Sequence, residues 1–219
     1  TNVEKIKPLG GNIAGMTLTM NGNIGPKIID ASDDSNLTLN LKAGVTDAIT
    51  VELGADVTAN DDNIVNGGAG YANTDLTITA TDPDSFDATT NITGGTGTDT
   101  ITITAVGGGT ADLTNVTGID VLNIVDFTTN AAVVITAGTN ALTPMTVNAT
   151  TQDAGEGLNF DGNNMTGGLT INAGEGADSL DGGTVNDVIY GNGGIDTIDG
   201  QENSATLGAD AIYGGAGND

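Results

Sequence analysis

The 219-residue sequence predicts an all-β fold: an elongated parallel β-solenoid or β-roll with Gly/Asp turns, and a β-sandwich-like section as the alternative for its upstream part. Three observations predict it. Short β-branched runs recur along the chain, bounded by Gly, Asn and Asp. Near the C-terminus an aspartate returns on a nine-residue period, at Asp178, Asp187 and Asp196, and two residues after each comes an aliphatic, Leu180, Ile189 and Ile198. No two successive strand runs are separated by only the Asn-Gly or Asp-Gly two-residue turn of a hairpin meander.

The elements follow in three sections. Residues 1–93 hold the four lysines and the runs "LTLNL" (37–41), "AITVEL" (48–53) and "LTITA" (76–80). Residues 94–172 hold an irregular solenoid section, with "TITITA" (100–105), "DVLNIV" (120–125), "AAVVITA" (131–137), "MTVNA" (145–149) and "LTINA" (169–173) overlapping its end. Residues 173–219 hold the nine-residue array. No proline-rich or serine-rich linker divides them, so one continuous body is expected. Aromatic residues are only 3% of the chain, so the core must be a ladder of Leu, Ile and Val.

Charge narrows the function. There are 29 acidic residues against 4 lysines, for a net charge of −25, and no basic side chain follows Lys42. Repulsion on that scale opposes a compact state. A folded array therefore needs positive charge from outside the protein. With no His, Cys or Arg, the usual nucleophile–base pairs, zinc sites and arginine clamps are unavailable, and no enzymatic activity is expected. Glu is scarce, and nothing marks an acid/base pair of the glycosidase kind. Nucleic acid would be repelled. No apolar run is long enough to insert in a membrane, and no basic amphipathic helix is available to lie on one.

The repeat can be written G-G-x-G-x-D-x-U-x, with U a large aliphatic. "GGTGTDTIT" (94–102) fits at every fixed position. "AGEGADSLD" (173–181) lacks only the first glycine; "GGTVNDVIY" (182–190) has Val185, and "GNGGIDTID" (191–199) has Asn192, where glycine belongs. "GQENSATLGADAIY" (200–213) carries an insertion, and "GGAGND" (214–219) begins a further copy, as a segment of a longer protein would. In each copy x-U-x makes a short strand, with U in a narrow core, and the remaining six residues make the turn. Glycine permits positive φ, which aims carbonyls into the turn. Aspartate adds charge. Calcium, a hard cation taking six to eight oxygens, suits that donor set. Several Ca2+ ions are expected, held by Gly95, Gly97 and Asp99; Gly174, Gly176 and Asp178; Gly183 and Asp187; Gly193 and Asp196; Asp210; and Gly215, Gly217 and Asp219. Weaker candidates lie in acidic loops upstream: Asp62 and Asp75; Asp82, Asp84 and Asp87 in "TDPDSFD"; and Asp30, Asp33 and Asp34 in "DASDDSN". Each of these loops reads equally as a solvated turn. At a calcium concentration about 100 times Kd, one site adds about 2.7 kcal/mol. Three or four sites then match a whole-domain stability of about 5–15 kcal/mol.

These nonapeptides resemble the RTX family, the calcium-binding repeats of secreted bacterial proteins. The resemblance implies that an ion sits between turns on the same side of the roll, so that Asp178 stacks on Asp196, and Asp187 faces Asp210. The stretch "GGTGTDTITITAVGGGTADLTNVTGIDVLNIVDFT" (94–128) is similar to a unit of large RTX surface proteins, including surface-layer (S-layer) proteins and giant adhesins, with Asp120 in place of their usual Glu. It implies an extracellular structural module at the bacterial cell surface, most simply an S-layer subunit. Its expected partners are further copies or neighbouring subunits joined through calcium, and a cell-surface polysaccharide. A calcium-dependent adhesin module, and the C-terminal region of a secreted enzyme or toxin, are the alternatives. An ice-binding solenoid is suggested by the Thr-x-Thr pairs "TLT" (17–19), "TIT" (77–79) and "TITIT" (100–104), but their irregular spacing speaks against one flat face.

Overall fold

A computed structural model describes residues 5–6, 16–20, 27–31, 37–41, 45, 47–53, 63–66, 75–104, 107–125, 131–139, 144–201 and 209–219. Strands are numbered β1–β20 in chain order. One ten-stranded sheet runs the length of the molecule: β1 (Lys5–Ile6), β3 (Lys27–Ala31), β5 (Ile49–Leu53), β7 (Leu76–Ala80), β9 (Thr100–Thr104), β12 (Val121–Val125), β14 (Met145–Asn148), β16 (Leu169–Asn172), β18 (Val188–Gly194) and β20 (Ala211–Gly217). Two five-stranded sheets share the opposite side. The first holds β2 (Met16–Met20), β4 (Leu37–Leu41), β6 (Asn63–Asn66), β8 (Asn91–Thr93) and β11 (Val116–Thr117). The second holds β10 (Gly109–Leu113), β13 (Val133–Ala137), β15 (Leu158–Asp161), β17 (Ser179–Asp181) and β19 (Thr197–Asp199).

The chain passes from the long sheet to the facing side and back, and each round adds one strand to the long sheet, which is a β-solenoid. Every strand pair among the described residues is parallel, the first coils included. The sandwich alternative for the upstream section therefore falls away. The facing side changes sheet once, in the coil that holds β10 and β11, where the first short sheet ends and the second begins.

Alternation places the core. Along β4, β5 and β7 every second residue is buried. The register then stacks like on like. Ile29, Val51, Ile78 and Ile101 are direct partners on successive strands. Leu122, Val147, Ile171 and Ile189 continue the same row. All eight are fully buried. Across the core stand Ala111, Ile135, Phe160 and Leu180, equally in register and equally buried. On the long sheet Ile189 pairs with Ile212 of β20, which is 47% exposed.

Outward-facing residues align in the same way. Thr77 pairs with Thr100, and Thr79 with Thr102. The spacing of the Thr-x-Thr pairs along the chain is thus no guide to their spacing in the fold. The turns absorb the variable lengths and the strands stay in register. The "TLT" pair at 17–19 lies on β2, in a different sheet.

Candidate metal centre

The turns of the array stack in two columns, one along each edge of the roll. The first column contains residues 173–178, 191–196 and 214–219. Asp178 Oδ1 accepts from the Leu158 N–H at 2.7 Å, the Asp178 N–H donates to Asp196 Oδ1 at 3.0 Å, and the Asp196 N–H donates to Asp219 Oδ1 at 3.3 Å. The second column contains residues 182–187, 200–201 and 209–210. There Asp187 Oδ1 accepts from the Leu169 N–H at 2.7 Å, and the Asp187 N–H donates to Asp210 Oδ1 at 2.9 Å. Each carboxylate therefore caps the start of a strand one coil back. Asp178 and Asp196 share one edge and Asp187 and Asp210 the other, as the 18-residue coil between Asp178 and Asp196 requires.

The second carboxylate oxygen separates the columns. Asp187 Oδ2 accepts from the Gly183 N–H at 2.6 Å. Asp178 Oδ2 and Asp196 Oδ2 are buried without any hydrogen-bond partner. A buried, unpaired anionic oxygen is costly unless a cation or a proton meets it. Burial pushes the Asp178 carboxyl up to about 7, the N–H bond from Leu158 and the nearby Gly174 N–H dipole opposing it and the Asp196 charge adding to it. Burial also raises Asp196 and Asp187, with Asp219 and Asp210 respectively adding like charge.

Backbone carbonyls complete the donor set. A side chain on Gly176 would place its Cβ 1.8 Å from the Glu156 carbonyl oxygen, and one on Gly194 would place it 1.9 Å from that of Gly176. These carbonyls thus point into the space between stacked turns. That space offers a carboxylate oxygen and carbonyl oxygens, with no nitrogen or sulfur ligand. This is hard-cation chemistry, and calcium fits it. Among the described residues no three acidic side chains converge on one point. A site here would consist of Asp178 or Asp196 with main-chain oxygens, rather than a carboxylate cage.

The glycines serve the expected end in some turns and a different one in others. Positive φ occurs at Asn192 (71°), Gly194 (123°), Gly215 (111°) and Gly217 (159°), in the last two turns of the first column. It is absent at Gly95, Gly97, Gly174, Gly176 and Gly183; at Gly174, Gly176 and Gly183 close approach of the neighbouring coil excludes a side chain instead. Two of the exceptions to the motif, Asn192 and Val185, then make sense. Asn tolerates the left-handed region, and the Asn192 amide donates to the Ala173 carbonyl at 2.7 Å. Val185 has no positive φ, so a β-branched residue sits there without strain.

Upstream, Asp99 repeats the pattern. It is fully buried, its Oδ1 accepts from the Leu76 N–H at 2.9 Å and its Oδ2 from the Gly95 N–H at 2.5 Å. The Asp99 N–H in turn donates to Asp120 Oδ2 at 2.8 Å. Asp120 therefore occupies the next rung of that column, a role its sequence context did not reveal. Asp75 accepts from the Thr98 N–H at 2.8 Å, and Asp62 lies outside the described residues. Asp82, Asp84 and Asp87 are not brought together. Asp82 caps the 3-10 turn Pro83–Ser85 through the Asp84 N–H, Asp84 accepts from Thr110 of β10, and Asp87 accepts from the N–H groups of Thr89 and Thr90. Asp30 pairs with Lys5 at 3.2 Å, while Asp33 and Asp34 lie outside the described residues. Sequence reasoning also passed over Gln152 and Glu156. They lie in the turn preceding the array and are both buried, and neither amide atom of Gln152 has a partner.

Residues 172–203 and 204–219 match the sequence model of the RTX calcium-binding nonapeptide repeat, in four copies. The array at the C-terminal end is therefore a run of RTX repeats, and it is these turns that form the two Asp columns. No curated protein and no solved structure matches the chain.

Proposed function

We propose that this chain, with RTX repeats at one end of a continuous β-solenoid, is a calcium-stiffened structural module of an extracellular bacterial protein, and that its setting is a surface layer. One observation carries the reading. Asp178 and Asp196, in directly stacked turns, each bury a carboxylate oxygen that no protein group satisfies. In a chain without a basic residue after Lys42, the positive charge must come from solution. Calcium supplies it, and its loss leaves buried like charges facing each other. The protein's own part is to hold the carboxylates by N–H bonds from the adjoining coil and to keep carbonyls aimed between the turns.

A structural role accords with the composition, which offers no nucleophile–base pair, and with the form of the molecule. Ile212 and Tyr213 of β20 are 47% and 53% exposed, and Ile195 is 64% exposed. A further coil or a neighbouring subunit would cover them. The facing sheet carries Asp161, Asp181 and Asp199 in register, a row that would repel a like surface unless cations lay between. Calcium therefore both folds the module and joins modules to one another, with a cell-surface polysaccharide as anchor. Sedimentation and electron microscopy of the calcium-loaded chain test the surface-layer setting. Ordered sheets that dissolve on chelation support it. A folded chain that stays monomeric at every calcium concentration contradicts it.

A further inference from the structure

The outward face of the ten-stranded sheet carries two parallel columns of small polar side chains. Thr77 and Thr100 are direct partners on β7 and β9, and Thr146 and Thr170 on β14 and β16, with Val121 between the two pairs. Two residues along each strand runs the second column, Thr79, Thr102, Asn123, Asn148 and Asn172. Strand spacing sets the repeat along the solenoid at about 4.8 Å, and the two-residue step across it at about 6.7 Å.

We propose that this face binds ice, taking the ordered water of an ice surface as its ligand. Four features support that ligand. The first is fixity. Thr is restricted at χ1, and the Asn side chains are chained together, Asn148 donating to Asn123 Oδ1 at 3.1 Å and Asn172 to Asn148 Oδ1 at 3.0 Å. Such ladders hold a many-stranded sheet flat. The second is availability. Among the described residues, the hydroxyls of Thr77, Thr100, Thr146 and Thr170 hydrogen-bond to no protein group, and each Asn amide keeps a donor and an acceptor beyond the ladder. The third is charge. From Thr77 to Asn172 neither column contains an ionisable group, in a chain of net charge −25 whose opposite face carries Asp161, Asp181 and Asp199 in one row. A neutral face complements a neutral partner. The fourth is dimension. Two rigid columns repeating in step match a partner that is itself rigid and periodic in two directions. A single flexible glycan would follow only one of them. The tyrosines that would favour sugar stacking, Tyr190 and Tyr213, continue the second column only past Asn172, and their rings stack on each other at 4.8 Å. Because the groups are held in place before contact, little ordering remains to oppose binding.

The inference needs the folded solenoid and is independent of where the protein operates. The test uses the calcium-loaded chain, with folding verified by circular dichroism in the same buffer, so that an unfolded chain is recognised as a failure of the calcium reading. Partition into slowly growing ice and inhibition of ice recrystallisation are measured for the wild type, for Thr100→Lys/Thr146→Lys, and for Ser179→Lys on the opposite face. The expected result is several-fold enrichment of the wild type and of Ser179→Lys in ice, abolished in the double variant. Exclusion of the folded wild type from ice overturns the proposal. So does enrichment that survives the double variant, or retention on crystalline polysaccharide with no retention on ice.

Discussion

Asp196 shows what one residue does in this fold. Its Oδ1 holds the Asp178 N–H at 3.0 Å, and its Oδ2 is buried with no partner. Asn at that position keeps the acceptor and removes the charge. Asp196→Asn should raise the calcium midpoint about tenfold, equivalent to about 1.4 kcal/mol, as read by isothermal titration calorimetry. The pH dependence follows from Asp178, raised to about 7 by burial, the like charge of Asp196 adding to it. An unfolded aspartate titrates near 3.9. Without calcium the folded chain binds this proton more tightly than the unfolded chain does. The stability it contributes is fully present below about pH 4 and is lost as the pH rises through about 7. Calcium favours the charged carboxylate, so its binding releases a proton and weakens as the pH falls below about 7. Circular dichroism of the calcium-free chain, expected to gain β signal as the pH is lowered from about 7 to about 4, checks the first statement, and calcium titrations across that range check the second.

At the scale of the element, the strands were legible because β-branched runs mark them and alternation marks their faces. The Asp ladder was legible too, since a nine-residue period on a two-strand coil must return every second Asp to the same edge. The upstream register was not. Residues 94–172 have coils of unequal length, and only the paired rows, such as Ile78 with Ile101 and Leu122, show that extra residues leave at the turns without shifting the strands. The link from Asp120 to Asp99 was not legible for the same reason, because the two stand a non-repeating coil apart. The motif glycines were recognised, but positive φ explains only some of them: at Gly176 the neighbouring carbonyl, not φ, forbids a side chain. Gly176→Ala should therefore destabilise the calcium-loaded roll clearly, whereas Val185→Ser, in an exposed turn position, should change stability by no more than about 0.5 kcal/mol. Ile171→Ala, in the fully buried row, should cost about 2–5 kcal/mol. Denaturant melts of the three variants at saturating calcium rank them.

For the whole molecule, one sheet runs from β1 to β20, so the RTX turns and the upstream coils share a core. Each coil is supported by the coils on either side, and stability added at one end propagates through the stack. Calcium bound at the array then stabilises strands far from any ion. The measurement that tests this most directly is a calcium titration followed by far-ultraviolet circular dichroism, with magnesium as control, on the wild type and on Asp178→Asn/Asp196→Asn. The account predicts a cooperative coil-to-β transition for the wild type near millimolar calcium, no transition with magnesium, and a midpoint displaced to higher calcium in the double variant. A chain that is fully β-structured in chelator, with a spectrum that calcium leaves unchanged, would contradict it.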